Sequence, residues 1–138
     1  MPSKLSKLAK TRLTILRDYM MKVKDEKFDY NSILKGRLNS HAKPACGSTA
    51  CTLGHAGCIP EFRKLGLKTS SKDRDIILHG DIILHGVTDP LLCSIAKFFG
   101  ISYGQTCYLF FDFNGGTGRY GVVTRQDAIN RLNEVLKG

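Results

Sequence analysis

No stretch of this 138-residue chain approaches the ~20 consecutive apolar residues that a membrane helix needs. No basic-then-apolar leader with a small-residue cleavage site opens it, which predicts the absence of a secretory signal. The cysteines number five, and an odd number argues against a closed disulfide framework. Free thiols persist in reducing compartments, so a cytoplasmic location is expected. What is left is the composition of a soluble globular protein, 42% hydrophobic and 24% charged. The length suits one domain, which at this size buries roughly two-thirds of its unfolded surface and holds a core without metals or bridges.

Acidic residues are few and unevenly placed. Lys and Arg number 21 against 12 Asp and Glu, a formal charge of +9. Residues 1–74 carry 16 basic and 6 acidic side chains, and residues 75–138 carry 5 and 6. The excess positive charge therefore lies wholly in the first half. A field polarised in this way steers acidic proteins, nucleic acid or anionic surfaces toward that half without choosing among them. The same charge also serves simply to keep a small protein soluble.

The periodicity of Leu5, Leu8, Ala9, Leu16, Tyr19, Met20 and Val23 predicts an amphipathic helix over residues 4–24, capped by Ser3. Lys7, Lys10, Arg17 and Lys24 on its opposite face form a basic ridge and are the candidate binding residues. Phe28, Tyr30, Ile33 and Leu34 make a short apolar patch, read as one helical turn. Residues 36–44 read as a loop. A Cys/Gly-rich helix is expected over residues 47–58, ended by Pro60, with a further turn to Gly66 and a polar loop over residues 69–74.

Asp75-Ile-Ile-Leu-His-Gly80 is repeated identically as Asp81-Ile-Ile-Leu-His-Gly86. The β-branched pairs favour two short strands joined at Gly80-Asp81, or one continuous strand with His79 and His85 on the same face. Two copies are too few for a solenoid. Asp89 with Pro90 opens the next helix and Gly100 closes it. Ser102 and Gln105 form a capping box for a helix to about Phe111. Thr124 and Asp127 begin the last one. The expected fold is a mainly α, α+β single domain spanning 1–138, with a minor β hairpin at 75–87 and helices over 89–137.

Residues 45–58 carry the densest chemistry, and three readings compete there. Cys46, Cys51, His55 and Cys58 are four zinc-type ligands within thirteen residues, three of them on one helical face. Their spacing is not that of a usual finger or ribbon. Residues i and i+7 of a straight helix also lie roughly 10 Å apart, too far to share one ion. Alternatively Cys46, placed at a helix N-terminus, is a nucleophile with His79 or His85 as its base, the pairing of a thiol hydrolase or transferase. In the third and favoured reading the small residues Gly47, Ala50, Cys51, Gly54, Gly57 and Cys58 let a neighbouring backbone approach closely. No cofactor is then expected.

Cys46-Gly-Ser-Thr-Ala-Cys-Thr-Leu-Gly-His-Ala56, followed by Pro60-Glu-Phe62 and Gly66-Leu67, resembles a group of small uncharacterised proteins of bacteriophages and bacteria. Their motif is C-G-T/S-x-A-C-x-x-G-W/H-A. The likeness extends with gaps to residues 28–136, including Phe98-Phe-Gly-Ile101, Leu109-Phe-Phe111 and the closing helix with Ile129 and Arg131. The basic helix lies outside it. The resemblance implies a phage-type protein acting in the host cytoplasm. Trp often stands at the place of His55 in that group, and Trp does not bind zinc.

Residues 95–111 have the spacing of a helix-turn-helix, but Tyr103 to Phe111 contains no Lys or Arg to meet phosphate. Asn114-Gly-Gly-Thr-Gly118 lacks the lysine of a phosphate-binding loop. The expectation carried forward is a non-enzymatic binding protein, without membrane insertion, whose basic half engages an acidic host protein or nucleic acid. A Cys46 enzyme and a helix-turn-helix DNA binder are the alternatives.

Overall fold

A computed structural model describes residues 5–29, 34–72, 75–78, 81–83, 89–110 and 124–137. The fold is α+β and mainly α. It comprises α1 (Lys7–Lys22), a 3-10 turn (Asp25–Lys27), α2 (Thr52–Ala56), α3 (Pro60–Lys64), β1 (Leu67–Ser70), β2 (Asp75–Leu78), β3 (Asp81–Ile83), α4 (Asp89–Phe99), α5 (Tyr103–Phe110) and α6 (Arg125–Lys137).

The first helix begins later than its apolar pattern predicts. Ser6 is the N-cap, its side chain accepting from the Ala9 amide, whereas Ser3 lies outside the described residues. The buried stripe of α1 is Ala9, Leu13, Leu16 and Met20, and Leu8 is turned out. That stripe packs on α6, α4 and α2. Arginines tie the helices together at their polar ends. Arg12 lies 4.5 Å over the Phe98 ring and donates to the Phe98 carbonyl at the end of α4. Arg125 at the start of α6 donates to Asp25 at 2.7 Å and to the Met20 carbonyl at 3.2 Å, where the last turn of α1 leaves carbonyls without helical partners.

The C-terminal helices begin where their sequence signals place them. Gly100 has φ +69 one residue past α4, a conformation that glycine adopts without Cβ strain. The Ser102 amide donates to Gln105 Oε1 at 2.9 Å, and the Gln105 amide donates to Ser102 Oγ at 3.1 Å. Thr124 and Asp127 make the same reciprocal pair, at 3.0 and 3.1 Å. An aromatic cluster of Phe62, Phe98, Phe99 and Phe110, with centroids 5.1–5.5 Å apart, joins these helices to α3.

The expected hairpin is part of a three-stranded antiparallel sheet in the order β1-β2-β3. The two repeat copies pair with each other in the register Ile76↔Ile83, Ile77↔Ile82 and Leu78↔Asp81. The two copies are thus separate antiparallel strands and the continuous-strand alternative falls, while His79 and Gly80 lie outside the described residues. The edge strand β1 occupies what sequence pattern assigns to a polar loop. It pairs Leu67↔Leu78, Lys68↔Ile77 and Thr69↔Ile76. Leu67, Thr69, Ile76 and Leu78 therefore form one buried face, and Lys68 and Ile77 share the other.

A helix over residues 47–58 is also corrected. Helical structure is confined to Thr52–Ala56, with Cys51 as its N-cap, and Pro60 opens α3 rather than ending the Cys/Gly helix. Residues 45–50 are irregular because their backbone groups find tertiary partners. The Ala50 amide donates to the Lys27 carbonyl at 3.0 Å, and Thr49 exchanges hydrogen bonds with Lys35 at 2.8 and 2.9 Å. Phe28 lies in an isolated bridge to Ala50 rather than in a helical turn.

Candidate functional site

The Cys/His segment is built inward. Cys51 Sγ accepts from the Gly54 amide at 3.5 Å, capping α2. Cys58 Sγ donates to the Gly54 carbonyl at 3.4 Å, and Thr69 Oγ1 donates to that carbonyl at 2.6 Å. Burial pushes both thiols up to about 11, further from thiolate than an ordinary cysteine. His55 is 1% exposed and holds its Nε2 2.9 Å from the Lys27 carbonyl. A carbonyl only accepts, so Nε2 carries the proton. Nδ1 is buried and has no partner among the described residues. Burial disfavours the charged imidazole and lowers the His55 pKa, outweighing the backbone of Lys27 and Ala50, which favour the charged form.

Gly57 explains the small residues. A Cβ there would stand 2.5 Å from the Thr69 nitrogen and 3.0 Å from the Lys68 carbonyl carbon. The Thr69 amide donates to the Gly57 carbonyl at 3.0 Å. The backbone that approaches is that of strand β1.

The four zinc-type residues do not converge. Cys51 and Cys58 are turned to the Gly54 backbone, His55 faces Lys27, and Cys46 is exposed in a turn. No group of three or more His, Cys, Asp or Glu among the described residues is placed to hold a metal ion. Cys46 is not at a helix N-terminus, the premise of the nucleophile reading. Cys51 has that place, and its thiol is buried and shifted the wrong way for reactivity. His79 and His85 lie outside the described residues. In the helix-turn-helix candidate, α5 turns Tyr108 toward α6. Arg131 sits 4.3 Å over its ring, and its hydroxyl donates to Glu134, a carboxylate that repels phosphate. Among the described residues no helix is long and apolar enough to cross a membrane.

The basic ridge of α1 is thinner than its sequence suggests. Lys7, Lys10 and Lys24 are exposed, but Arg17 is half-buried and bonded to Asn133 of α6 at 3.3 Å and to Asp18 at 3.1 Å. This division is general. Five of the six described arginines, Arg12, Arg17, Arg63, Arg125 and Arg131, tie elements together, whereas every described lysine except Lys27 is exposed.

Open charge is densest elsewhere. Residues 5–29 carry seven cations against four acids, and residues 34–72 carry seven against Glu61 alone. There the loop over residues 38–44 folds across the outer face of the sheet and leaves an open cleft of about 470 Å³. The Leu38 amide donates to Ser71 Oγ at 3.0 Å, pinning the loop to the β1–β2 turn. Asn39 Oδ1 accepts from the amides of His41 at 2.8 Å and Lys43 at 3.2 Å, closing the loop on itself. Arg63, Lys68 and Lys72 line the cleft together with hydroxyls and the Asn39 amide. Arg63 is fixed by donating to the carbonyls of Gly57 at 2.9 Å and Thr69 at 3.3 Å. Sequence reasoning missed this site because it joins two loops thirty residues apart. The signal present in the sequence was the run from Lys35 to Lys72 with a single acid.

No protein-family model matches this chain, and no curated protein or solved structure does either.

Proposed function

We propose that the chain is a non-enzymatic binding protein of phage type, acting in the host cytoplasm, whose basic N-terminal half engages an acidic partner. The observation that carries this reading is the division of labour between cations. Lysines other than Lys27 project outward across residues 5–72, whereas Arg12 and Arg17 are committed to contacts between helices. The groups that would do chemistry point the other way, since the thiols of Cys51 and Cys58 and the imidazole of His55 are buried in backbone hydrogen bonds. The phage assignment rests on the likeness of residues 46–56 to the C-G-T/S-x-A-C motif, and five free cysteines accord with a reducing compartment.

The test is binding of two fluorescent polyanions, a single-stranded oligonucleotide and poly-glutamate, followed by anisotropy as salt is raised. At least one should bind below about 100 μM in low salt and weaken as counterions compete. If neither binds, the reading fails.

A further inference from the structure

We infer that the cleft between the 38–44 loop and the outer face of the β1–β2 pair binds the phosphodiester backbone of a nucleic acid. This rests on the reading that the basic half engages a polyanion, and it names the polyanion and the place.

Three observations support it. The first is charge of one sign. Arg63, Lys68 and Lys72 line the cleft, and no carboxylate stands among its described lining residues. The second is the kind of polar group. Besides the cations the walls carry serine hydroxyls and the Asn39 amide, the groups that meet phosphate and sugar oxygens in nucleic-acid complexes. The third is what is missing. The described lining holds no aromatic ring on which a base would stack, and its apolar members Leu38, Ala42 and Ile77 are aliphatic. Recognition is therefore of the backbone, without regard to base sequence. Arg63 is pre-positioned by its two carbonyl bonds, while Lys68 and Lys72 are exposed and adapt to the strand.

The probe is a fluorescein-labelled, mixed-sequence single strand of about 16 nucleotides. Neutralising about three phosphates, the wild-type protein should lose roughly 20-fold in affinity between about 50 and about 200 mM salt. The double variant Lys68→Glu with Lys72→Glu should bind at least ~10-fold more weakly at the lower salt and show a shallower salt slope. Lys97→Glu with Lys137→Glu, the same change in net charge on α4 and α6, should stay within about threefold. Melting curves check that each variant is folded, and the Lys68→Gln, Lys72→Gln pair repeats the test without added negative charge.

Equal losses from the cleft pair and from the Lys97, Lys137 pair would overturn the cleft and leave a general polyanion binder. Binding of poly-glutamate without the oligonucleotide would overturn nucleic acid and leave an acidic protein as partner. Displacement of the strand by AMP as effectively as by unlabelled strand would overturn the polymer and assign a free nucleotide. Silence with both polyanions removes the cleft and the broader reading together.

Discussion

Along Phe62-Arg-Lys-Leu-Gly-Leu-Lys-Thr69, neighbouring residues go to two different environments. Phe62, Leu67 and Thr69 face inward, onto Phe98 and Phe99 and onto the backbone of α2. Lys64 and Lys68 face outward, and Arg63 spans the two, its guanidinium bonded to backbone at the cleft wall. The inner side of this α3–β1 unit is buried and intolerant of added volume at Gly57. The outer side is exposed and cationic. The difference separates the two attributes that made residues 45–72 conspicuous as sequence. Cys51, Gly54, Gly57 and Cys58 belong to the inner side and serve the fold, and Lys64, Lys68 and Lys72 belong to the outer side and are free to serve a partner.

The largest expected effect breaks the inner side. Phe62 is fully buried with edge-to-face rings on two sides, and Phe62→Ala should cost about 3–5 kcal/mol in denaturant titration. Lys64→Glu, two residues on, should change stability by less than ~0.5 kcal/mol. Comparable losses from both would mean that the two sides are not distinct.

Thiol accessibility draws the same line. Cys46 and Cys93 are exposed and should react with iodoacetamide in the folded protein. Cys51 and Cys58 should react about 100-fold more slowly, since local opening of ~2.8 kcal/mol must come first. Rapid labelling of Cys51 by peptide mass spectrometry would contradict the inward assignment.

A smaller effect is expected from pH. Burial lowers the His55 pKa, so the folded state resists a proton that the unfolded chain accepts below about pH 6.5. The stability linked to this group is present above that value and declines as pH falls through the lowered folded pKa. The thiols have the opposite sign. Raised from 9.0 to about 11, they favour the fold below pH 9 and cease to do so as pH climbs toward 11. His55→Gln keeps a donor toward Lys27 and should flatten the melting temperature between about pH 5 and 6.5. An unchanged acid slope in that variant would remove His55 as its source.

Much of the helical frame was legible because its signals are local. The Ser102/Gln105 and Thr124/Asp127 boxes fix their helices within four residues, and the paired β-branched repeat announces its own hairpin. The Cys/Gly segment was misread because residues 45–50 take their shape from partners at Lys27 and Lys35, which helical periodicity does not register. Strand β1 was missed for the same reason. Leu67-Lys-Thr-Ser70 has polar neighbours and becomes a strand only by pairing with β2. Of the candidate binding residues Lys7, Lys10 and Lys24 are exposed as expected, and Arg17 is taken by Asn133, a partner 116 residues away.

The most direct measurement uses two neighbours on β1, in a crossed design that reads melting temperature and oligonucleotide anisotropy on the same samples. Thr69→Val removes the hydroxyl bonded to Gly54 at almost constant volume and should cost about 1–3 kcal/mol, a drop of several degrees, with affinity unchanged while the protein is folded. Lys68→Gln should leave the melt within a degree or so and weaken binding several-fold. If Lys68→Gln lowers the melt while Thr69→Val weakens binding, or if each variant changes both readings alike, then fold and function are not divided between the two faces of this strand, and the account is wrong.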